Sequence, residues 1–149
     1  MHEIATEIRI DASAQRVWDE LVDFASHPDW NPFIREISGV PQVGQQLKIL
    51  VQPAGGKGMR FQPMVLAATP GQELRWRGRW LVPGLFDGEH YFRITATGAG
   101  TTQFVHGEKF SGVLVPLARK SLDGATRAGF EAMNQALKTR AERPARVTG

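Results

Sequence analysis

The middle of the chain alternates apolar and polar residues at period two and is cut repeatedly by glycine and proline, whereas helical periodicity is confined to the two ends. A parallel sheet would interleave the two patterns. The layout is therefore α+β, with an antiparallel sheet built from consecutive strands. Alternation predicts seven strands, at 3–10, 34–38, 46–52, 59–67, 73–80, 89–97 and 101–111. Gly98-Ala99-Gly100 reads as a tight hairpin connection, and Pro70-Gly71 and Pro83-Gly84 as further turns. Pro63 falls inside the fourth strand and demands an edge or a bulge there, because it has no N–H to give to a ladder.

At the N-terminal end Ile8 and Ile10 flank Arg9, after which Asp11 or Ser13 can cap a helix. Val17, Trp18, Leu21, Val22 and Phe24 give that helix one apolar face. His27-Pro28-Asp29-Trp30-Asn31-Pro32-Phe33 predicts a second short helix or turn, with Trp30 and Phe33 as its anchors and His27 as a surface capping residue. At the other end Leu117, Leu122, Ala125, Gly129, Met133, Ala136 and Leu137 recur at spacings of three, four and five after Pro116, which predicts one long helix of about 25 residues. Gly124 and Gly129 each cost such a helix about 1 kcal/mol relative to alanine. They either thin it beside a cavity or let it approach the sheet closely. Residues 143–149 carry no periodicity and are expected to fray, leaving 1–142 as a single domain.

Composition excludes several classes. An apolar share of 42% and a charged share of 22% are those of an ordinary globular domain. No apolar run approaches the roughly 20 residues that span a bilayer, and the first residues lack a signal pattern, so a soluble cytoplasmic protein without stable membrane insertion is expected. The absence of cysteine removes disulfides and thiol chemistry. Although the net charge is +3, the arginines 75, 77 and 79 share one strand face without interleaved aromatics, as a solvated outer face does, and nucleic acid is not expected as a partner. P-loop, GxGxxG, HExxH and GxSxG signatures are absent, and the glycines 55, 56 and 58 read as a hairpin turn. No cofactor is expected.

The strand-to-helix passage through residues 8–33 resembles the START and birch-pollen-allergen superfamily, the SRPBCC or helix-grip proteins. The runs Phe86-Asp-Gly-Glu-His-Tyr-Phe-Arg-Ile94 and Gly100-Thr-Thr-Gln-Phe-Val-His-Gly-Glu-Lys-Phe-Ser-Gly-Val-Leu114 are similar to its polyketide cyclase/dehydrase and lipid-transport branch. The resemblance implies a curved seven-stranded antiparallel sheet wrapped around a long C-terminal helix, with two short helices after the first strand. It also implies a ligand held between sheet and helix.

Alternation then says which residues look inward. His90, Phe92 and Ile94 share one face of the sixth strand, and Thr102, Phe104, His106, Glu108 and Phe110 share one face of the seventh; these are the more apolar faces. A three-residue Gly98–Gly100 loop would set Phe92 opposite His106 and His90 opposite Glu108, with Cβ atoms about 5 Å apart. The His90–Glu108 pair has three readings: mutual satisfaction beneath the helix, a polar anchor for a ligand hydroxyl or carbonyl, or an imidazole oriented for acid–base work. His90, His106 and Glu108 are thus the candidate catalytic residues. A metal on these three is not expected, since any two adjacent strands give their spacing. Trp76 and Trp80 fall on the face away from the arginines, and Phe61, Met59 and Met133 are plausible wall residues. The expected partner is a small, largely hydrophobic molecule. A cyclase or dehydratase using the same cavity, or a protein-interaction module with an exposed patch at Trp30 and Phe33, are the alternatives.

Overall fold

The computed structural model describes residues 2–53, 55–80, 86–117 and 122–144. Eight strands are present among them: β1 (His2–Ile10), β2 (Ile34–Ser38), β3 (Lys48–Val51), β4 (Met59–Phe61), β5 (Met64–Thr69), β6 (Glu73–Trp80), β7 (Phe86–Gly98) and β8 (Thr101–Ser111). They form two antiparallel sheets, a five-stranded one in the order β1-β8-β7-β6-β5 and a three-stranded one in the order β2-β3-β4. This corrects the expectation of a single seven-stranded sheet. The reason is Pro63, which splits the predicted 59–67 strand into β4 and β5 and sends the two halves to different sheets. Its carbonyl accepts from Leu47 N at 2.8 Å, and Gln46 bridges Met64, so the sheets stay joined beside the break.

The helix α1 (Ala14–Val22) starts where Ser13 Oγ accepts from Arg16 N at 3.1 Å, and it buries Val17, Trp18 and Leu21. A 3-10 turn (Phe24–Ser26) leads into the single-turn α2 (His27–Trp30). His27 is not a surface cap as the sequence suggested: it is 1% exposed. Its Nε2 faces the Leu21 carbonyl at 2.8 Å and its Nδ1 faces the Asn31 amide nitrogen at 3.1 Å. Nε2–H therefore donates and bare Nδ1 accepts, which is the neutral imidazole, and burial accordingly holds the His27 pKa below its usual value. Asn31 in turn accepts from the backbone N–H groups of Phe33 and Ile34, each at 2.9 Å, and turns the chain into β2.

Within the described residues the C-terminal helix is less regular than predicted. A π-helical turn (Leu122–Thr126) precedes α3 (Arg127–Ala141), while residues 118–121, where the predicted helix begins, lie outside the described residues, as does the Pro83-Gly84 turn. The described helix packs on β1 and α1, burying Phe130, Met133, Asn134 and Leu137. Of the two questions its glycines raised, one is answered. A Cβ on Gly129 would come within 2.5 Å of the Phe33 ring, so this glycine serves close packing. Gly124 is exposed and meets nothing, and nothing in the structure explains it.

Candidate functional site

A cavity of about 510 Å³ lies between the two sheets and the start of α3. The three-stranded sheet supplies Ile34, Ile49, Val51 and Phe61, and the loop before it supplies Phe33. From the helical side come Thr126 and Phe130. Inward positions of the five-stranded sheet contribute Trp76 and Gly78 from β6, Gly88 and His90 from β7, and Glu108 and Phe110 from β8. Met59 and Arg60 also line it and are exposed, so they mark its mouth, where Arg60 is held by Glu36 at 3.0 Å.

Along the strands the β7–β8 register is the one the sequence implied, but at the turn Gly98, and not Thr97, pairs with Thr101, so the loop is shorter than the expected three residues. His90 stands opposite Glu108 and Phe92 opposite His106, with a register shift at Gly98 closing the hairpin. His90 Nδ1 is hydrogen-bonded to Glu108 Oε1, and the imidazole stacks on Trp76 with ring centroids 5.2 Å apart. The other carboxylate oxygen, Oε2, lies over Gly88, where a Cβ would come within 2.6 Å of it. Glycine at position 88 thus makes room for the carboxyl tip at the cavity wall.

Behind His90 lies a buried chain of polar groups. His90 Nε2 and His106 Nε2 are 2.7 Å apart, His106 Nδ1 and Asn134 Oδ1 2.9 Å, and Asn134 Nδ2 donates to Thr6 Oγ1 at 2.8 Å. Thr6 Oγ1 donates to the carbonyl of His106 itself at 2.9 Å. The direction of the chain follows. The single hydroxyl proton of Thr6 is committed to that carbonyl, so Thr6 accepts from Asn134, whose oxygen must then accept from His106 Nδ1–H. His106 is wholly buried, and burial together with the neighbouring His90 holds its pKa well below the usual value. It is neutral, its Nε2 is bare, and His90 Nε2–H donates to it.

The predicted site residues separate into two groups. Trp76, His90, Glu108, Phe110 and Phe61 line the cavity, as does Met59. Phe92, Phe104, His106 and Met133 do not: each is 0% exposed in the core behind the wall. Alternation placed the first three on the inward face of the sheet, and Met133 was a plausible wall residue of the helix, but the inward face is shared between cavity and core. The Trp80 side chain lies outside the described residues. Thr6 and Asn134 were missed, although each had a signal: Thr6 interrupts the inward series Ile4, Ile8, Ile10, and Asn134 follows Phe130 by four on the buried helix stripe. Phe33 is buried at 4% exposure, with its ring 5.3 Å from that of Phe130, so it contributes nothing to an exposed patch. On the opposite face of the sheet Arg75 pairs with Glu73 at 2.7 Å and Glu89 at 3.0 Å, and Arg77 with Glu89 at 3.6 Å. None of the described helices is long and apolar enough to cross a membrane.

A five-stranded and a three-stranded antiparallel sheet that enclose a cavity with a C-terminal helix define an α+β protein of the helix-grip type. The chain belongs to the polyketide cyclase/dehydrase and lipid transport family, whose model matches residues 1–142. Among solved structures it is similar to the ZhuI aromatase/cyclase from Streptomyces sp. R1128, at 20% identity and a TM-score of 0.78, covering 99% of this chain and 98% of that one. A START superfamily protein from Mycobacterium smegmatis has 20% identity and a TM-score of 0.74, with 95% and 98% covered. The di-domain ARO/CYC BexL from the BE-7585A biosynthetic pathway has 19% identity and a TM-score of 0.73, with 96% of this chain and 51% of that chain covered. At these identities the likeness is one of fold. No curated protein matches the sequence.

Proposed function

We propose that this protein binds a small, largely hydrophobic molecule, aromatic or lipid-like, in the cavity between the sheets and the C-terminal helix. The observation that carries the reading is the make-up of the wall: aromatic and aliphatic side chains from both sheets and the helix, with the hydrogen-bonded Glu108–His90 pair set among them. Trp76, Phe61 and Phe110 serve as apolar walls and Glu108, held by His90, as the anchor. The pairing of Arg75 and Arg77 with glutamates favours a small molecule over nucleic acid as the partner, and the cysteine-free chain suits the reducing cytoplasm. Native mass spectrometry of protein purified from its own host, followed by denaturing extraction, tests the reading. A stoichiometric hydrophobic molecule is the expected result. A clean protein mass, with no gain in thermal stability from any of a panel of aromatic and acyl compounds, overturns it.

A second reading, an enzyme of cyclase or dehydratase type, is favoured by one feature. A carboxyl group coupled to an imidazole at the wall of an apolar cavity can take up and return a proton from a bound molecule. Loss of a β-hydroxyketone to its enone in the presence of the protein, abolished in Glu108→Gln, is the result this reading requires.

A further inference from the structure

We infer that the buried chain Thr6–Asn134–His106–His90 fixes Glu108 as a hydrogen-bond acceptor toward the cavity, so that the ligand is an apolar molecule carrying a hydroxyl or N–H donor, a phenol or alcohol in preference to a ketone, aldehyde or ether. The inference deepens the cavity-binding reading and rests on it.

The argument is one of counting protons. Because His106 keeps its proton on Nδ1 for Asn134, its Nε2 is an acceptor, and His90 must hold a proton on Nε2. The contact between His90 Nδ1 and Glu108 Oε1 then contains one proton. That proton sits either on Nδ1, giving an imidazolium beside a carboxylate, or on Oε1, giving a neutral acid beside a neutral imidazole. In both arrangements the pair is neutral overall, and in both Oε2 has lone pairs and no hydrogen. For Oε2 to offer a proton to a ligand carbonyl, either a second proton must enter the buried pair and leave it positively charged, or the whole chain must reverse, with His106 protonated on Nε2 and His90 on Nδ1. Thr6 prevents the reversal. Its one proton goes to the His106 carbonyl, which forces the Asn134 amide to present nitrogen to Thr6 and oxygen to His106. The chain ends on that backbone carbonyl, and Thr6, His106 and Asn134 are all buried, so it orients groups and does not carry protons to water. His106, Asn134 and Thr6 are positioning residues in this scheme. The remaining polar lining groups are few: Arg60 is held by Glu36 at the exposed mouth, and Thr126 lies on the helical side.

Two measurements on the intact protein test this. The first is calorimetric binding of three probes of one shape, 2-naphthol, 2-methoxynaphthalene and 2-naphthaldehyde. Naphthol is expected to bind at least tenfold more tightly than either of the others. Equal affinities, a preference for the aldehyde, or failure of all three to bind overturns donor selection, while the cavity reading stands or falls on the native mass and the wider panel of aromatic and acyl compounds. The second is the long-range proton–nitrogen spectrum of the imidazoles, which should place the His106 proton on Nδ1 and a His90 proton on Nε2. A His106 proton on Nε2 overturns the scheme directly. Thr6→Val, a near-isosteric change one step removed from the cavity, should give mixed His106 tautomers and narrow the naphthol preference at least threefold. Unchanged tautomers and preference in that variant would remove Thr6 and Asn134 from any part in selectivity.

Discussion

His27 and Asn31 hold the short second helix to the core through four hydrogen bonds that use every polar atom of the two side chains. Replacing Asn31 by alanine leaves His27 Nδ1 and two buried backbone N–H groups without partners. At about 1–3 kcal/mol for each orphaned group, partly relieved by relaxation, Asn31→Ala should destabilise the fold by about 3 kcal/mol in urea titration. Burial of this residue was not legible in the sequence. A histidine beside a proline in a polar stretch looks like a surface residue, and only the i,i+4 spacing of His27 and Asn31 hinted at the pairing. The reverse holds for His90 and Glu108. Two titratable groups on the apolar faces of consecutive strands have few ways to be satisfied, so the sequence already pointed to the contact. For His90→Ala, Glu108 loses its partner; stability should fall by about 1–3 kcal/mol and naphthol affinity should drop with it. A variant that matched the parent in both would remove the pair from the site.

At the scale of elements, Gly129 decides how closely α3 can lie against the loop before β2. Alanine there gains about 1 kcal/mol of helix propensity, but its Cβ would sit 2.5 Å from an atom of the Phe33 ring, which is itself wedged against Phe130 and lines the cavity. Overpacking of this kind costs about 1–3 kcal/mol. Gly129→Ala is therefore expected to lower the thermal midpoint despite the better helix former, and to weaken ligand binding by pushing Phe33 into the cavity; a raised midpoint would refute this account of the glycine. The places of most strands and the His90–Glu108 register were readable because alternation and a Gly-rich turn leave one consistent pairing, but their ends were not: β7 begins at Phe86, three residues before the expected start, and β3 spans only Lys48–Val51. Nor was the division into two sheets. Pro63 announced a break, but whether a broken strand stays in its sheet or crosses to another depends on long-range pairing, here Gln46 with Met64, that no local pattern encodes. The same limit hid which inward residues meet the cavity. Phe92 and Phe104 alternate correctly with their neighbours, yet both are packed wholly within the core, whereas Phe110 on the same face meets the cavity.

For the molecule as a whole, two histidines, His27 and His106, are buried in the neutral form with pKa values held below 6.5. In the unfolded chain each takes up a proton near its ordinary value. Below about pH 6.5 the unfolded state therefore binds more protons than the folded one, and stability, fully present above that pH, is lost as the pH falls. Each group contributes a slope of up to about 1.4 kcal/mol per pH unit. Urea unfolding between pH 7.5 and 5 should show a steep loss that His27→Gln reduces; a flat profile would mean that neither imidazole is neutral by burial. The polar chain that includes His106 has a further effect on how the molecule assembles. Greasy side chains that alternate along a hairpin as long as β7–β8 cannot tell one alignment from another displaced by two residues, because the same faces still look inward. Sliding β8 by two would set Glu108 against Phe92 and part it from His90, and would carry His106 away from Asn134 and Thr6. Because those partners come from β1, β7, β8 and α3, the chain works as a key cut for a single alignment of four separate pieces, and a misthreaded sheet would be left with buried charges and donors that nothing answers.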